Sequence, residues 1–201
     1  MTKAVLLDLG NVVLGIDFRR VFSAWATAAN VPVQIFYDRW QVDSAYADHE
    51  TGKISFNEYA DQLAARFEVN LSHEQWRRGW NSLWTEPFHD VIALLPAIAS
   101  RYELYAFTNT NDTHAQCWRS LYGPALAPFE HIFVSSEIGV RKPHVEAFHY
   151  VCSAAGSEAG QTLFLDDTLE NVNGALDAGL KAHHVASQSA VVAHLQHLLE
   201  H

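Results

Sequence analysis

The sequence predicts an α/β fold: a parallel sheet with helices on both faces and a small all-helical cap inserted after the first strand. Three observations predict it. A short apolar run ends in Asp8 and turns at Gly10, as strands of open α/β sheets do at their ligand-binding edge. Residues 16–85 carry helical patterns only. From residue 86 onward strand and helix patterns alternate, which is typical of a parallel sheet.

The cap pattern begins at Asp17, which predicts the N-cap of a helix over residues 18–29. A second, shorter helix is expected from Pro32 to about Trp40. The polar segment 41–53 follows and predicts a loop. Such a loop is in a position to cover the ligand-binding edge of the sheet.

Two capping boxes open the remaining cap helices. The motif at residues 55–58 starts a helix to about Phe67, and the motif at residues 72–75 starts a helix to about Trp84. No strand pattern occurs between residues 16 and 85, so the block predicts an all-helical unit. Five of the six tryptophans fall in it and are expected in its core: Trp25, Trp40, Trp76, Trp80 and Trp84.

The second half of the chain supplies most of the sheet. Expected strands cover about residues 102–107, 132–134, 162–165 and a short segment reaching residue 185. Expected helices cover residues 87–100, the stretch after the second strand, a segment that Pro143 starts and Gly156 ends, one that closes at Gly179, and the C-terminal segment. The prediction is therefore a Rossmann-like core of residues 1–15 and 86–201 with a helical cap of residues 16–85. An insertion after the first strand lies over the carboxyl ends of the strands, where such sheets bind ligands.

Composition narrows the function classes. The formal net charge is −10 and the basic residues are scattered, which argues against nucleic acid or an anionic membrane as a partner. Two isolated cysteines, Cys117 and Cys152, make no disulfide framework, so a cytoplasmic location is expected, without a signal peptide or membrane span. Residues 199–201 look like the stub of an expression tag and carry no functional argument. Nothing in the sequence predicts the oligomeric state.

Polar residues follow the predicted strands of the core. The first strand ends in Asp8, the second in Thr108 and Asn109, and the fourth in Asp166 and Asp167, while Lys142 lies in the loop after the third. A parallel sheet brings these ends to one edge, where crowded carboxylates repel one another. A divalent cation resolves that repulsion, and Mg²⁺ prefers carboxylate and phosphate oxygens. The set therefore predicts a phosphate-binding Mg²⁺ site in which a carboxylate is the nucleophile.

Four motifs in this order resemble the haloacid dehalogenase superfamily of phosphohydrolases. They are Leu-Asp-Leu-Gly-Asn-Val-Val at 7–13, Phe-Thr-Asn-Thr-Asn at 107–111, Gly-Val-Arg-Lys-Pro at 139–143, and Leu-Asp-Asp at 165–167 followed by Glu170-Asn171 and Gly174-Ala175. Each is weak alone, but together they span nearly the whole chain. The segment His-Glu-Thr-Gly-Lys-Ile-Ser at 49–55 also resembles the subgroup that contains a bacterial α-D-glucose-1-phosphate phosphatase.

The resemblance implies a role for each matching residue. Asp8 would be the nucleophile and a metal ligand, Gly10 would offer its carbonyl to the metal, Thr108 and Asn109 would hold the phosphoryl group, Lys142 would orient Asp8 and the phosphate, and Asp166 and Asp167 would be metal ligands. His49, His114 and the loop residue Arg141 are candidates for substrate binding. The cofactor implied is Mg²⁺.

One departure from the family pattern concerns proton transfer. Most phosphatases of the family carry a second Asp two residues after the nucleophile, where this chain has Gly10. That Asp protonates the leaving group, and such help is worth roughly 10²- to 10⁴-fold in rate. Candidate replacements are His114, next to the second motif, and His49 and Glu50, in the expected cap loop.

The resulting prediction is a Mg²⁺-dependent phosphatase of a small phosphorylated metabolite, a sugar phosphate in the first place, acting through an aspartyl-phosphate on Asp8. One alternative is a 2-haloacid dehalogenase, which needs no metal and fits Gly10 but not the pair Asp166 and Asp167. The other is a non-catalytic binding protein of the same fold, against which the intact nucleophile and Lys142 argue.

Overall fold

The computed structural model describes residues 1–200, so His201 of the expected tag stub lies outside the described residues. Seven strands occur within residues 1–200: β1 (Ala4–Leu7), β2 (Leu14–Ile16), β3 (Trp84–Pro87), β4 (Glu103–Thr108), β5 (His131–Val134), β6 (Thr162–Asp166) and β7 (Lys181–His184). Five of them form one sheet in the order β5-β4-β1-β6-β7. All neighbours in it are parallel. The predicted Rossmann-like α/β fold is confirmed.

Eleven α-helices connect these strands within the same residues. They are α1 (Phe18–Ala29), α2 (Gln34–Arg39), α3 (Ser44–Glu50), α4 (Phe56–Phe67), α5 (His73–Trp80), α6 (His89–Ala99), α7 (Asp112–Tyr122), α8 (Ser135–Ile138), α9 (Val145–Ala155), α10 (Leu169–Asp177) and α11 (Gln188–Glu200). Within residues 1–200, none of the helices is long and apolar enough to cross a membrane. The first five helices lie between β2 and β3, and we retain residues 16–85 as the proposed cap.

The middle of the sheet fixes the position of the candidate site. Strand β1 is fully buried between β4 and β6, and it ends immediately before Asp8. Strand β6 is buried along its whole length and ends in Asp166. Because the two strands are parallel and paired Leu7 to Leu165, their carboxyl ends deliver both carboxylates to the same edge.

Residues 16–85 were predicted to contain no strand, and this prediction is wrong at both ends of the block. Strands β2 and β3 form an antiparallel ribbon with Ile16 opposite Trp84, and α5 ends at Trp80 rather than at Trp84, with a 3-10 turn over Asn81–Leu83 between α5 and β3. The backbone N–H of Asp17 donates to the carbonyl of Leu83 at 2.9 Å. The ribbon pairs residues about 70 positions apart, so no local sequence pattern predicts it. It places the two connections to the proposed cap side by side.

The loop predicted for residues 41–53 is also wrong, because residues 44–50 form helix α3. Its N-cap is Asp43, whose side chain accepts a hydrogen bond from the N–H of Tyr46 at 2.9 Å. The buried face of α3 includes His49 and Glu50. A helix that buries polar residues lacks the apolar period from which helices are predicted.

Aromatic side chains fill the interior of the proposed cap. Trp25, Trp76 and Trp80 are completely buried, as expected, and the rings of Trp25 and Trp80 stack 5.7 Å apart. Trp40 is only half-buried, and Trp84 belongs to β3. A β-carbon at Gly79 would lie 2.3 Å from Trp25 Cδ1, so this glycine allows α5 to approach α1 closely.

The loop that precedes α9 contains a cis peptide bond and packs closely against α10. Pro143 was expected at the first helical position, but α9 begins at Val145 with His144 as N-cap, and the bond between Lys142 and Pro143 is cis. A β-carbon at Gly174 would lie 2.0 Å from the carbonyl oxygen of Pro143. Only glycine at that point lets α10 pack against the loop that carries Lys142.

Candidate active site

A buried lysine bridges two of the predicted carboxylates. Lys142 Nζ donates to Asp8 Oδ1 at 2.8 Å and to Asp166 Oδ2 at 2.6 Å. The side chain of Lys142 is 1% exposed and that of Asp166 is completely buried. Burial opposes the charge on Lys142, but the two carboxylates outweigh it and raise the pKa of the ammonium above its usual range. The sequence-predicted nucleophile, lysine and acidic strand end therefore form one hydrogen-bonded unit.

Neighbouring residues hold this unit in place. Asp166 accepts from the N–H of Thr168 at 2.8 Å and from the side-chain amide of Asn171 at 3.1 Å. The side chain of Asn109 donates to the carbonyl of Lys142 and accepts from its N–H, both at 2.9 Å. Asn109 thus positions the backbone of Lys142, and a phosphate contact by the same side chain stays a prediction.

Three carboxylates crowd together at the sheet edge. Asp8, Asp166 and Asp167 each offer an oxygen within 4.8 Å of the others. Burial, together with the charges of Asp166 and Asp167, raises the pKa of Asp8 to about 7 although Lys142 opposes the rise. Burial and Asp166 also raise the pKa of Asp167. Hard oxygen donors under mutual repulsion fit a divalent cation such as Mg²⁺.

These shifts predict how the stability of the metal-free protein depends on pH. Between about pH 4 and pH 7 the folded protein holds a proton on Asp8 that the unfolded chain has released, so stability falls as the pH rises through this window. A bound cation competes with that proton, so Mg²⁺ should raise the melting temperature more at pH 8 than at pH 5. Thermal melting with EDTA or Mg²⁺ measures both effects.

The matched control is Asp8→Asn, which removes the titrating carboxyl at nearly constant size. In this variant the decline of stability between pH 5 and pH 8 should be smaller. An equal decline in both proteins would show that Asp8 does not carry the effect.

A cavity of about 360 Å³ opens above the carboxylates, within the size range of small-molecule sites. Its core wall holds most of the predicted site residues: Asp8, Gly10, Thr108, Asn109, His114, Arg141, Lys142 and Asp167. Its other wall belongs to the ribbon and the proposed cap: Ile16, Phe18, Val42, Tyr46, Glu50, Leu83 and Trp84. Tyr46 and Phe18 were not singled out from the sequence, because nothing local distinguishes a cavity-facing aromatic residue from a core one.

His114 lines the cavity, but its ring N–H is committed to a backbone carbonyl. Its Nε2 donates to the carbonyl of Trp80 at 3.0 Å, and its Nδ1 accepts from the amide of Asn111 at 3.3 Å. The imidazole also stacks on the ring of Trp80 at 4.6 Å. Burial lowers the pKa of His114 to about 3, so the ring is neutral near pH 7. This geometry argues against the predicted role of His114 as the missing acid.

His49 does not line the cavity. Its ring is buried and stacks on Tyr59 at 4.8 Å, and burial lowers its pKa. The next residue, Glu50, does line the cavity. This geometry argues against His49 as a substrate contact or as the missing acid, because its ring lies in the interior of the proposed cap. Glu50 is the residue that α3 turns toward the site.

Arg141 meets Glu50 at the cavity wall. Its Nε lies 3.0 Å from Glu50 Oε2, and the side chains are 20% and 5% exposed. Burial raises the pKa of Glu50, while the guanidinium of Arg141 opposes the rise. The pair joins the proposed cap to the loop that carries Lys142.

Comparison with known proteins places the chain in a family. Residues 2–179 match the profile of the haloacid dehalogenase-like hydrolases. D-ribitol-5-phosphate phosphatase from Bacteroides thetaiotaomicron is 23% identical over 179 residues, covering 86% of each chain. A phosphatase from Mycobacterium tuberculosis is 27% identical and covers 90% of this chain and 86% of its own.

A solved structure extends the comparison to the whole fold. An enzyme of the same family from Bacteroides thetaiotaomicron, crystallised with magnesium and inorganic phosphate, superposes with a TM-score of 0.78 at 26% identity, covering 92% of this chain and 94% of its own. The family resemblance inferred from the four sequence motifs is confirmed. The chain belongs to the haloacid dehalogenase-like hydrolases.

Proposed function

We propose that this protein is a Mg²⁺-dependent phosphomonoesterase of a small phosphorylated metabolite, with a sugar phosphate as the first expectation, and that Asp8 is its nucleophile. The observation that carries the proposal is the contact of Lys142 with both Asp8 and Asp166 beneath the cavity. A nucleophilic carboxylate next to a fixed cation suits phosphoryl transfer, in which positioning and charge neutralisation supply most of the catalysis.

Each part of the site has a role in this reaction. Asp8 Oδ1 is held by Lys142, which leaves Oδ2 to attack the phosphorus. Thr108 lies buried at the end of β4 and lines the cavity, and its hydroxyl would donate to a phosphoryl oxygen. Asp8, Asp166, Asp167 and the carbonyl of Gly10 would hold Mg²⁺, and the cation when bound supplies positive charge to the phosphoryl oxygens.

The relatives support this reaction class. One is named as a phosphatase of D-ribitol 5-phosphate, and a structural relative was crystallised with magnesium and phosphate. The cavity volume of about 360 Å³ suits a metabolite of that size. Membership of the glucose-1-phosphate phosphatase subgroup stays a prediction.

The proposal is tested by phosphate release from a panel of sugar and polyol phosphates with Mg²⁺ or with EDTA. Phosphate release that requires Mg²⁺ is the expected result. Chloride release from chloroacetate without metal would instead favour a dehalogenase. If neither phosphate nor chloride is released but phosphorylated compounds still bind, the result would favour the non-catalytic alternative.

Because Gly10 stands where most phosphatases of the family carry an acidic residue, we expect an Asp introduced there to increase activity. A β-carbon there would lie 4.0 Å from Asp8 Oδ2 and 3.2 Å from Ile16 Cδ1, the end of a flexible side chain. Gly10→Asp should restore a proton donor and raise kcat for substrates with poor leaving groups about 10-fold or more. Steady-state kinetics on ethyl phosphate against p-nitrophenyl phosphate measures this, since the activated leaving group needs no proton.

Gly10→Asn is the matched control because it has the same size without the acidic proton. If the Asp and Asn variants change the rate on ethyl phosphate equally, the account of the missing acid is wrong. Adding Ile16→Val to both variants shortens the contacting side chain and tests whether crowding masks the effect.

A further inference from the structure

Glu50 is the charged residue that the proposed cap contributes to the cavity wall, among the residues 1–200 that the structure describes. It ends helix α3 and is 4% exposed. The mechanism proposed above assigns nothing to it. A buried carboxylate is costly without partners, so its presence at a ligand cavity needs an explanation.

Tyr46 and Arg141 are the partners of Glu50, and they satisfy it only in part. A side-chain hydrogen bond with Tyr46 favours the charged form of the carboxylate. Arg141 Nε lies 3.0 Å from Glu50 Oε2, but the two groups are out of line, and in the described structure neither atom completes a hydrogen bond. The guanidinium of Arg141 has five N–H donors. Within the described residues, its one ion pair is the pair with Glu50. Both groups therefore keep hydrogen-bonding capacity at the wall of the cavity.

The charges of this pair define what it can bind. An acceptor of charge −1 and a donor of charge +1 lie side by side, so their sum is neutral. A charged leaving group would be attracted by one member of the pair and repelled by the other, so the pair gives no net attraction to either charge. A neutral group with adjacent hydroxyls satisfies both, because one hydroxyl donates to the carboxylate while its neighbour accepts from the guanidinium.

We propose that Glu50 and Arg141 form a specificity-determining pair that binds adjacent hydroxyls of the leaving group, so that the substrates are polyol or sugar monophosphates. This inference rests on the proposed phosphatase function. The pair acts on binding of the leaving group, whereas Asp8 and Lys142 act on the phosphoryl group.

The kinetic test compares wild type with Glu50→Gln on three compounds: ribitol 5-phosphate, ethyl phosphate and p-nitrophenyl phosphate. The inference predicts a KM for ribitol 5-phosphate raised about 10- to 100-fold, as expected when a hydrogen bond to a charged group is lost, and little change with the two compounds that lack hydroxyls. The exposed residue Glu74 supplies the matched control, Glu74→Gln, which should leave all three rates unchanged.

Two kinetic outcomes would overturn the inference. A lower kcat on ribitol and ethyl phosphates alike, with p-nitrophenyl phosphate unaffected, would make Glu50 the missing general acid instead. An equal loss on all three compounds would make the pair a structural contact between cap and core.

A binding measurement separates this inference from the proposed function. Calorimetric titration of ribitol 5-phosphate into Asp8→Asn protein, with and without Glu50→Gln, does not require turnover. Equal affinity in both proteins would refute the role of Glu50 and leave the phosphatase proposal intact. Absence of Mg²⁺-dependent turnover by wild type on every compound, with binding that depends on Glu50, would refute the phosphatase proposal instead.

Discussion

Asp8→Asn is expected to reduce phosphate release by at least about 10⁴-fold, as removal of a nucleophile does in other enzymes. The amide has nearly the size of the carboxylate but cannot attack phosphorus. Lys142 keeps its contact with Asp166 at 2.6 Å, so the fold should survive the change. Steady-state phosphate release on the best substrate measures the loss.

Folding and catalysis should respond to Asp8→Asn in opposite directions. Burial and two neighbouring carboxylates disfavour the ionised form of Asp8, so replacing it should leave the metal-free protein as stable as wild type at pH 8, or more stable. Asp177→Asn changes an exposed residue of α10 and serves as control. Retention of more than about one tenth of wild-type activity, beyond the general range of nucleophile deletions, would place the nucleophile elsewhere.

Lys142→Met is expected to damage both stability and activity. The substitution leaves Asp8 and Asp166 buried without their shared cation, and breaking a buried ion pair from one side costs about 3–5 kcal/mol. The free energy of unfolding in urea, measured at pH 7, gives that loss. Turnover should fall about 10²- to 10³-fold, because a fixed positive charge near the phosphoryl oxygens is lost.

A double variant separates the electrostatic cost from simple misfolding. Because the penalty comes from uncompensated carboxylates, adding Asp8→Asn to Lys142→Met should restore part of the lost stability. Lys181→Met, at an exposed lysine on β7, controls for the loss of a lysine as such. Wild-type stability in Lys142→Met, or no recovery in the double variant, would contradict the role given to this ion pair.

The sequence predicted the sheet and the edge that carries the candidate site because their signals are local. Buried strands appear as short apolar runs, and the polar residues that follow them, such as Asp8 and Asp166, are adjacent in sequence to those runs. Parallel pairing then brings them together without further information. Lys142 lies in a loop, but its position before a helix in the four-motif series was enough to include it.

The predictions that proved wrong concern structure that depends on contacts between distant segments of the chain. The β2–β3 ribbon pairs residues far apart in sequence, and α3 buries two polar side chains, of which Glu50 lines the cavity. Which of His49 and Glu50 faces the site is decided by one step of helix rotation. Periodicity does not resolve that step, and a resemblance transfers roles without orienting side chains. The pairing of Glu50 with Arg141 could therefore be identified only from the structure.

Detection of a phosphoryl group on Asp8 tests the central claim most directly. Turnover is stopped with acid, the acyl phosphate is reduced with borohydride, and the peptide around residue 8 is analysed by mass spectrometry. Reduction of an aspartyl-phosphate converts the side chain to homoserine, and this change is expected at Asp8 only when both substrate and Mg²⁺ are present. Rapid phosphate release with an unmodified Asp8 peptide at every quench time would contradict the account.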